Sequence, residues 1–200
     1  MEKILIFGIN GFTGRHMQSY ILKHHLFSSY FFIGVDQNKA DQNLSDNYQF
    51  IQSDLSCLSN IKDIIIEHKP DYIINLVWLL KSTDIDLMHR INVHIPNQIL
   101  ETVFQSKLNL KKILLIGSAA EYGQPTNIPT AESTNLNPKT IYGLTKKLQT
   151  CIAQYYFLNY NLNVNIARSF NIIGKYISSD LAIGAFYTKL KEVKDNETIT

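Results

Sequence analysis

Tyr142 and Lys146, in the stretch Tyr-Gly-Leu-Thr-Lys, stand four residues apart. On a helix that spacing puts a phenol and an ammonium on one face, a turn apart. A free tyrosine, with a pKa of about 10, is a poor base at neutral pH. A fixed positive charge beside it favours the phenolate and brings it into working range for proton transfer. Spacing alone proves little in a chain with 11 tyrosines. Ser118 sharpens the pattern, because it directly follows the apolar run 112–117. A hydroxyl at the carboxyl end of a strand can hydrogen-bond a carbonyl oxygen while hydride arrives or leaves. The same position also suits a turn or helix cap, and the sequence leaves both roles open.

Hydride chemistry needs a dinucleotide, and the amino terminus offers a place for one. Gly8-Ile9-Asn10-Gly11-Phe12-Thr13-Gly14 lies between an apolar strand-like run and a helical pattern. Glycines there let the chain turn tightly and bring backbone amides to a pyrophosphate, with the helix amino terminus favouring the negative charge. The first gap is one residue longer than in the common fingerprint, and three glycines also serve packing alone. Asp36 adds the missing partner: at the end of the second strand, a carboxylate can accept both hydroxyls of a ribose. It would repel a 2′-phosphate, and no arginine follows it. NAD is therefore expected in preference to NADP, held by Gly8, Gly11, Phe12, Thr13, Gly14 and Asp36.

The elements that must position these groups alternate along the chain. Short apolar runs at 3–7, 31–35, 48–52, 72–76, 112–117 and 163–167 read as strands. Between them, apolar residues at three- and four-residue spacing predict helices from Phe12, over 57–68, 86–106 and 142–158. Pro70 should end one helix and Pro96 should kink or divide another. Residues 37–46 read as a loop, and 179–194 as a last helix with Leu181, Phe186 and Leu190 inward. Continuously apolar strands separated by helices predict an α/β fold, a doubly wound parallel sheet of Rossmann-like type. Right-handed crossovers then put the ligand at the carboxyl edge of the strands.

Composition excludes several other classes. Of 200 residues, 45% are hydrophobic and 18% charged, which gives a core and no disordered composition. No apolar run approaches the 20 or so residues a membrane span needs, and the amino terminus lacks a signal-peptide pattern. A net charge of +2 provides no basic stripe for nucleic acid. Cys57 and Cys151 alone make neither a disulfide framework nor a metal site, so reduced thiols in a cytoplasmic protein are expected.

Taken together, the motifs resemble the extended short-chain dehydrogenase/reductase family, the NAD-dependent epimerases, dehydratases and reductases of nucleotide sugars. The resemblance runs from Lys3 to about Gly174. It rests on the order Gly8…Gly11…Gly14, Asp36, Ser53-Asp54-Leu55, Asn75-Leu76-Val77, Asn92, Ser118-Ala-Ala-Glu-Tyr122-Gly123, Tyr142…Lys146 and Arg168-Ser-Phe-Asn171-Ile-Ile-Gly174. It implies that Tyr142 is the acid/base, that Lys146 holds the nicotinamide ribose and lowers the tyrosine pKa, and that Ser118 polarises the sugar carbonyl or hydroxyl. Asp54, with Leu55 beside it, would reach the adenine amino group, or else cap a turn. Leu76 and Val77 would line the cofactor with their backbone, and Ala119, Ala120 and Asn171 would face the sugar. Asn92 is expected to be a structural hydrogen-bonder.

The resemblance also divides the chain into an NAD-binding domain, residues 1–174, and the start of a substrate-binding domain, residues 175–200, which is otherwise largely missing. Such a chain is expected to bind NAD yet turn over a nucleotide sugar poorly. Alanines at 119 and 120, where 4,6-dehydratases of the family carry acids, disfavour a dehydratase. The wording of the serine and arginine motifs resembles reductases of nucleotide-linked 4-keto-6-deoxy sugars; a UDP-sugar 4-epimerase and a non-catalytic dinucleotide sensor stay open. Val77-Trp78 stands where the family has small alanines, and Ser169 where proline is usual. The helices over 86–106 and 142–158 would pack a homodimer as a four-helix bundle, or simply cover the sheet.

Overall fold

The structure, a computed structural model, describes residues 1–39, 44–125, 127–179 and 181–192. Six strands make one sheet: β1 (Glu2–Phe7), β2 (Tyr30–Asp36), β3 (Tyr48–Gln52), β4 (Tyr72–Asn75), β5 (Lys112–Ser118) and β6 (Val164–Ser169). Their order is β3-β2-β1-β4-β5-β6 and every neighbouring pair is parallel. Helices α1 (Phe12–Lys23), α2 (Leu58–His68), α3 (Ile85–His89), α4 (Ile95–Gln105) and α5 (Ile141–Tyr160) connect them. This is the doubly wound α/β arrangement expected from the alternation of elements.

Both faces of the sheet are covered, which is why its strands read as unbroken apolar runs. Successive side chains of a strand point to opposite faces. Leu5 and Phe7 accordingly join Ile33, Val35, Ile73, Ile113 and Leu115 in a core closed by α2, α4 and α5. Ile6, between them, packs with Ile9, Phe32, Tyr48 and Leu76 on the other face, where Ile21 of α1 closes the layer. Because the chain winds from β1 outward to β3 and then back to β4, the loops after β1 and β4 leave in opposite directions. The crevice between them is where such folds take ligands.

The predicted helix over 86–106 is divided, as Pro96 requires. Proline lacks the N–H that a continuous helix would use, so the pattern slips. Arg90–His94 forms a wider turn in which the N–H of Ile95 donates to the carbonyl of Arg90, five residues back. The helix then resumes with Pro96 in its first turn, where a missing donor costs nothing. α2 ends at Lys69 in a left-handed conformation just before Pro70.

Contacts divide the chain into one unit over Met1–Phe170 and a second that begins at Asn171. In the second, α6 (Ala182–Glu192) starts three residues later than predicted. Phe186 and Leu190, expected to face inward, are exposed, and Leu181 is only half-buried. The buried position of that helix is Gly184, where a Cβ would fall 2.0 Å from the carbonyl oxygen of Ser178. Within the predicted loop 37–46, residues 40–43 lie outside the described residues. No helix among the described residues is long and apolar enough to cross a membrane.

Candidate active site

The turn after β1 is built on glycines. Gly8 adopts φ +81°, a left-handed conformation that other residues rarely take, and its N–H donates to the carbonyl of Val35 at 2.8 Å. A Cβ there would press within 3.1 Å of the backbone of Leu76 and Val77. Gly14 lets α1 begin against the loop: a Cβ would lie 2.2 Å from the carbonyl oxygen of Ile9. The result is a cavity of about 520 Å³ at the carboxyl edge of β1, β2 and β4.

Eight of the expected cofactor residues line this cavity: Gly8, Gly11, Phe12, Asp36, Asp54, Leu55, Leu76 and Val77. Thr13, Gly14, Tyr142 and Lys146 do not; Gly14 acts through packing. Asp36 is buried at the cavity wall, its Oδ2 accepting from the N–H of Asn10 at 2.9 Å and its Oδ1 from that of Asn38 at 3.0 Å. Asp54 accepts from the N–H of Ser56 at 2.9 Å, and hydrogen bonds from Ser56 hold its carboxyl below the ordinary range. Asp54 thus caps a turn and lines the cavity at once. The side-chain oxygen of Asn75 accepts from the N–H of Val77 at 3.2 Å, while its buried amide nitrogen has no partner among the described residues.

The proton-transfer groups converge at the end of β5. Ser118 caps the turn that follows it, its Oγ accepting from the N–H of Ala120 at 3.2 Å, and it also hydrogen-bonds with Tyr142. The cap left open in the sequence is thus present, and the same hydroxyl lies against Tyr142. Tyr142 is brought there by α5, whose first turn is capped by Thr140 accepting from the N–H of Gly143. Burial raises the Tyr142 phenol above its ordinary value; the hydrogen bond from Ser118 opposes this and the charge of Glu121 adds to it. Burial therefore dominates, and the lowering of the phenol expected from Lys146 is not among the influences on it. Lys146, one turn along, is fully buried and lowered to about 8 by desolvation, with Glu121 opposing. Its Nζ donates to the carbonyl of Ile116 at 2.8 Å and to Gln149 Oε1 at 3.3 Å.

Tyr142 meets the cavity wall through Trp78, with ring centroids 6.4 Å apart. Asn92 holds the Trp78–Leu79 turn in place. Its Oδ1 accepts from the N–H of Leu79, and its Nδ2 donates to the Leu79 carbonyl and to Thr145 Oγ1. This is the structural part the sequence suggested. Ala119 and Ala120 follow Ser118, both half-buried. Asn171 opens the separate carboxyl-terminal unit and is exposed.

Sequence reasoning missed the role of Glu121. The carboxylate turns inward and is completely buried, accepting from the N–H of Ser118 at 2.8 Å, Thr150 Oγ1 at 2.6 Å and Arg168 Nε at 3.0 Å. The one available signal was Arg168, a charge within an otherwise half-apolar strand. It also missed Gln37, Asn38, Leu79, Leu87 and Ile91 on the cavity wall, all from loops or helix ends without a motif.

Known proteins share this fold. The model of the family described as NAD dependent epimerase/dehydratase family matches residues 4–200. Protein CapI of Staphylococcus aureus is 24% identical over 200 residues, covering 92% of this chain and 58% of its own length. A UDP-glucuronic acid 4-epimerase from Bacillus cereus, solved in complex with NAD, superposes with a TM-score of 0.81 at 23% identity, over 95% of this chain and 63% of that one. A dTDP-glucose 4,6-dehydratase from Bacillus anthracis str. Ames, also in complex with NAD, gives a TM-score of 0.80 at 23% identity, over 96% and 62%. The chain thus spans less than two thirds of the length of these relatives.

Proposed function

The chain belongs to the NAD dependent epimerase/dehydratase family, and on that premise we propose that it is the cofactor-binding and proton-transferring part of an oxidoreductase acting on a nucleotide-activated sugar. Within that class we favour reduction of a 4-keto-6-deoxyhexose nucleotide. The observation that carries the reading is the convergence of Ser118, Tyr142 and Lys146 at the end of β5, next to a cavity walled by Gly8, Gly11 and Asp36.

The cavity fits a dinucleotide. Gly8 and Gly11 bare the backbone where a pyrophosphate would lie, and Asp36 and Asp54 supply acceptors for a ribose and an adenine amino group. When bound, NAD supplies hydride transfer to or from carbon 4 of the sugar. Ser118 orients the oxygen on that carbon by its hydroxyl. Tyr142, raised by burial, keeps its proton at neutral pH and so stands ready to donate it to the forming alkoxide. That protonation state suits the reductive direction. Lys146, one helical turn from Tyr142 and anchored on Ile116 and Gln149, is lowered by burial to about 8 and so falls within reach of titration. Dehydration would need a carboxylic acid near the sugar, and Glu121 is withdrawn into its contacts with Ser118, Thr150 and Arg168.

A UDP-sugar 4-epimerase is the second reading, favoured by the fold similarity to a 4-epimerase. A second copy packed on α4 and α5 belongs to the same proposal, since α5 leaves Leu144, Tyr155 and Leu158 exposed. The test joins this chain to a carboxyl-terminal sugar-binding domain and supplies a 4-keto-6-deoxy sugar nucleotide with NADH. Stoichiometric loss of reduced cofactor absorbance, abolished in Tyr142→Phe with NAD affinity intact, is the expected result. Interconversion of 4-epimers without added reductant would favour the epimerase. Turnover unaffected by Tyr142→Phe would remove the catalytic reading altogether.

A further inference from the structure

Asn10 sits at the middle of the glycine loop and uses every polar atom it has. Its backbone N–H donates to Asp36 Oδ2 at 2.9 Å. Its side-chain amide donates to the carbonyls of Asn38 at 2.9 Å and Lys39 at 3.1 Å. Its side-chain oxygen accepts from Gln18 Nε2 at 3.2 Å, and its carbonyl accepts from Arg15 Nε at 2.9 Å. One residue therefore joins the loop after β1, the first helix and the loop after β2. The second of these loops also presents its own amide to the same carboxylate, through the N–H of Asn38.

We infer that Asn10 is a positioning residue that sets cofactor selectivity by stapling the Gln37–Lys39 segment to the glycine loop and thereby fixing Asp36 for a 2′-hydroxyl. The inference rests on the NAD reading above and extends it to a residue outside the carboxylate itself. Asp36 has four lone-pair positions; the N–H of Asn10 takes one on Oδ2, and the N–H of Asn38 at 3.0 Å with its side-chain amide at 3.4 Å occupy Oδ1. What is left, on Oδ2 above all, is oriented by those three bonds before any ligand arrives, so little ordering remains to be done on binding. The staple also holds the backbone of residues 38 and 39 close to the loop, which keeps the segment from withdrawing to admit a 2′-phosphate. A ligand with a free 2′-hydroxyl gains from this arrangement. A ligand with a phosphate there meets the carboxylate and gains nothing from its being held still.

Trp78, the only tryptophan, lies on the cavity wall, so its fluorescence reports occupancy directly. Kd values for NAD and NADP are measured by that signal, and by calorimetry, on the 200-residue chain, Asn10→Ala, Asn10→Ser, Asp36→Ala and Asn10→Ala/Asp36→Ala. Loss of the side-chain hydrogen bonds to Asn38 and Lys39, together with the one from Gln18, predicts NAD binding about tenfold weaker in Asn10→Ala, with NADP changed less than about twofold. The ratio of the two constants then falls about tenfold. In the Asp36→Ala background, Asn10→Ala adds no further loss, because its effect passes through the carboxylate. Asn10→Ser, too short to reach both carbonyls, reproduces the change in ratio if Asn10→Ala does not fold. Equal weakening of NAD and NADP, or full additivity with Asp36→Ala, overturns the inference and leaves NAD binding standing. Absence of saturable NAD binding by the unmodified chain overturns the cofactor reading itself and the inference with it.

Discussion

Removing the carboxylate of Glu121 is the sharpest test of how the serine is held. Glu121→Ala deletes the acceptor for three donors at once: the backbone of Ser118, the hydroxyl of Thr150 and the guanidinium of Arg168. Breaking a buried ion pair by truncating one partner costs about 3–5 kcal/mol, since the other charge is stranded. Here Glu121 is 0% and Arg168 19% exposed, so water rescues part of the arginine and the lower end, about 3 kcal/mol, applies. At roughly 2–4 °C per kcal/mol for a chain of this size, the unfolding midpoint falls by about 6–12 °C. Circular dichroism melts of the wild type, Glu121→Ala, Arg168→Ala and the double variant measure it. The double variant is less destabilised than the sum of the singles, because the second truncation removes a charge already stranded. A midpoint shift below about 2 °C for Glu121→Ala, or strict additivity in the cycle, would refute the claim that this pair secures the end of β5.

Two more expectations follow from the geometry. Gly14→Ala places a methyl group 2.2 Å from the Ile9 carbonyl and 2.4 Å from that of Gly8, backbone atoms that cannot swing aside; overpacking of this kind costs about 1–3 kcal/mol, and an unchanged melt would show that α1 can shift freely. Lys146, lowered from 10.5 to about 8, gives up its proton in the folded chain well before the unfolded chain does. The cost of its buried charge is thus fully present below pH 8 and relieved between about 8 and 10.5, so this group makes stability rise with pH there. Relative to Lys146→Met, the wild type gains about 2–3 kcal/mol between pH 7 and 10.5 in urea unfolding, and a pH-independent difference would contradict the assignment.

Much of this was legible in the sequence because local patterns decide it. The runs around Leu5, Ile33, Ile73 and Leu115 are apolar on both faces because both sheet faces are covered, with polar residues such as Lys3, Asn75 and Lys112 only towards their ends, and Gly8 and Gly14 are required by a turn and a close approach within seven residues. Pro96 announced the break between α3 and α4, though not that the slip would take the form of a wider turn at Arg90–His94. What escaped reading depends on pairs distant in sequence. Glu121 points inward because Arg168, on β6, waits for it, and Asn10 gains its role only when the loop after β2 folds over it. The burial expected for Phe186 and Leu190 was read from spacing alone, and spacing names a face of α6 without supplying anything for it to meet.

The strand order has a bearing on how the chain is made. β1, made before either of its partners, ends at the centre of the sheet with β2 on one side and β4 on the other. Its second neighbour begins at Tyr72, so at synthesis rates of about 5–20 residues per second the nascent β1 keeps one flank open for several seconds. During that interval Ile4, Leu5 and Ile6 present a sticky unpaired margin to other chains. Slow elongation at low temperature prolongs the hazard, and a holdase chaperone that shields β1 until Tyr72 emerges shortens it.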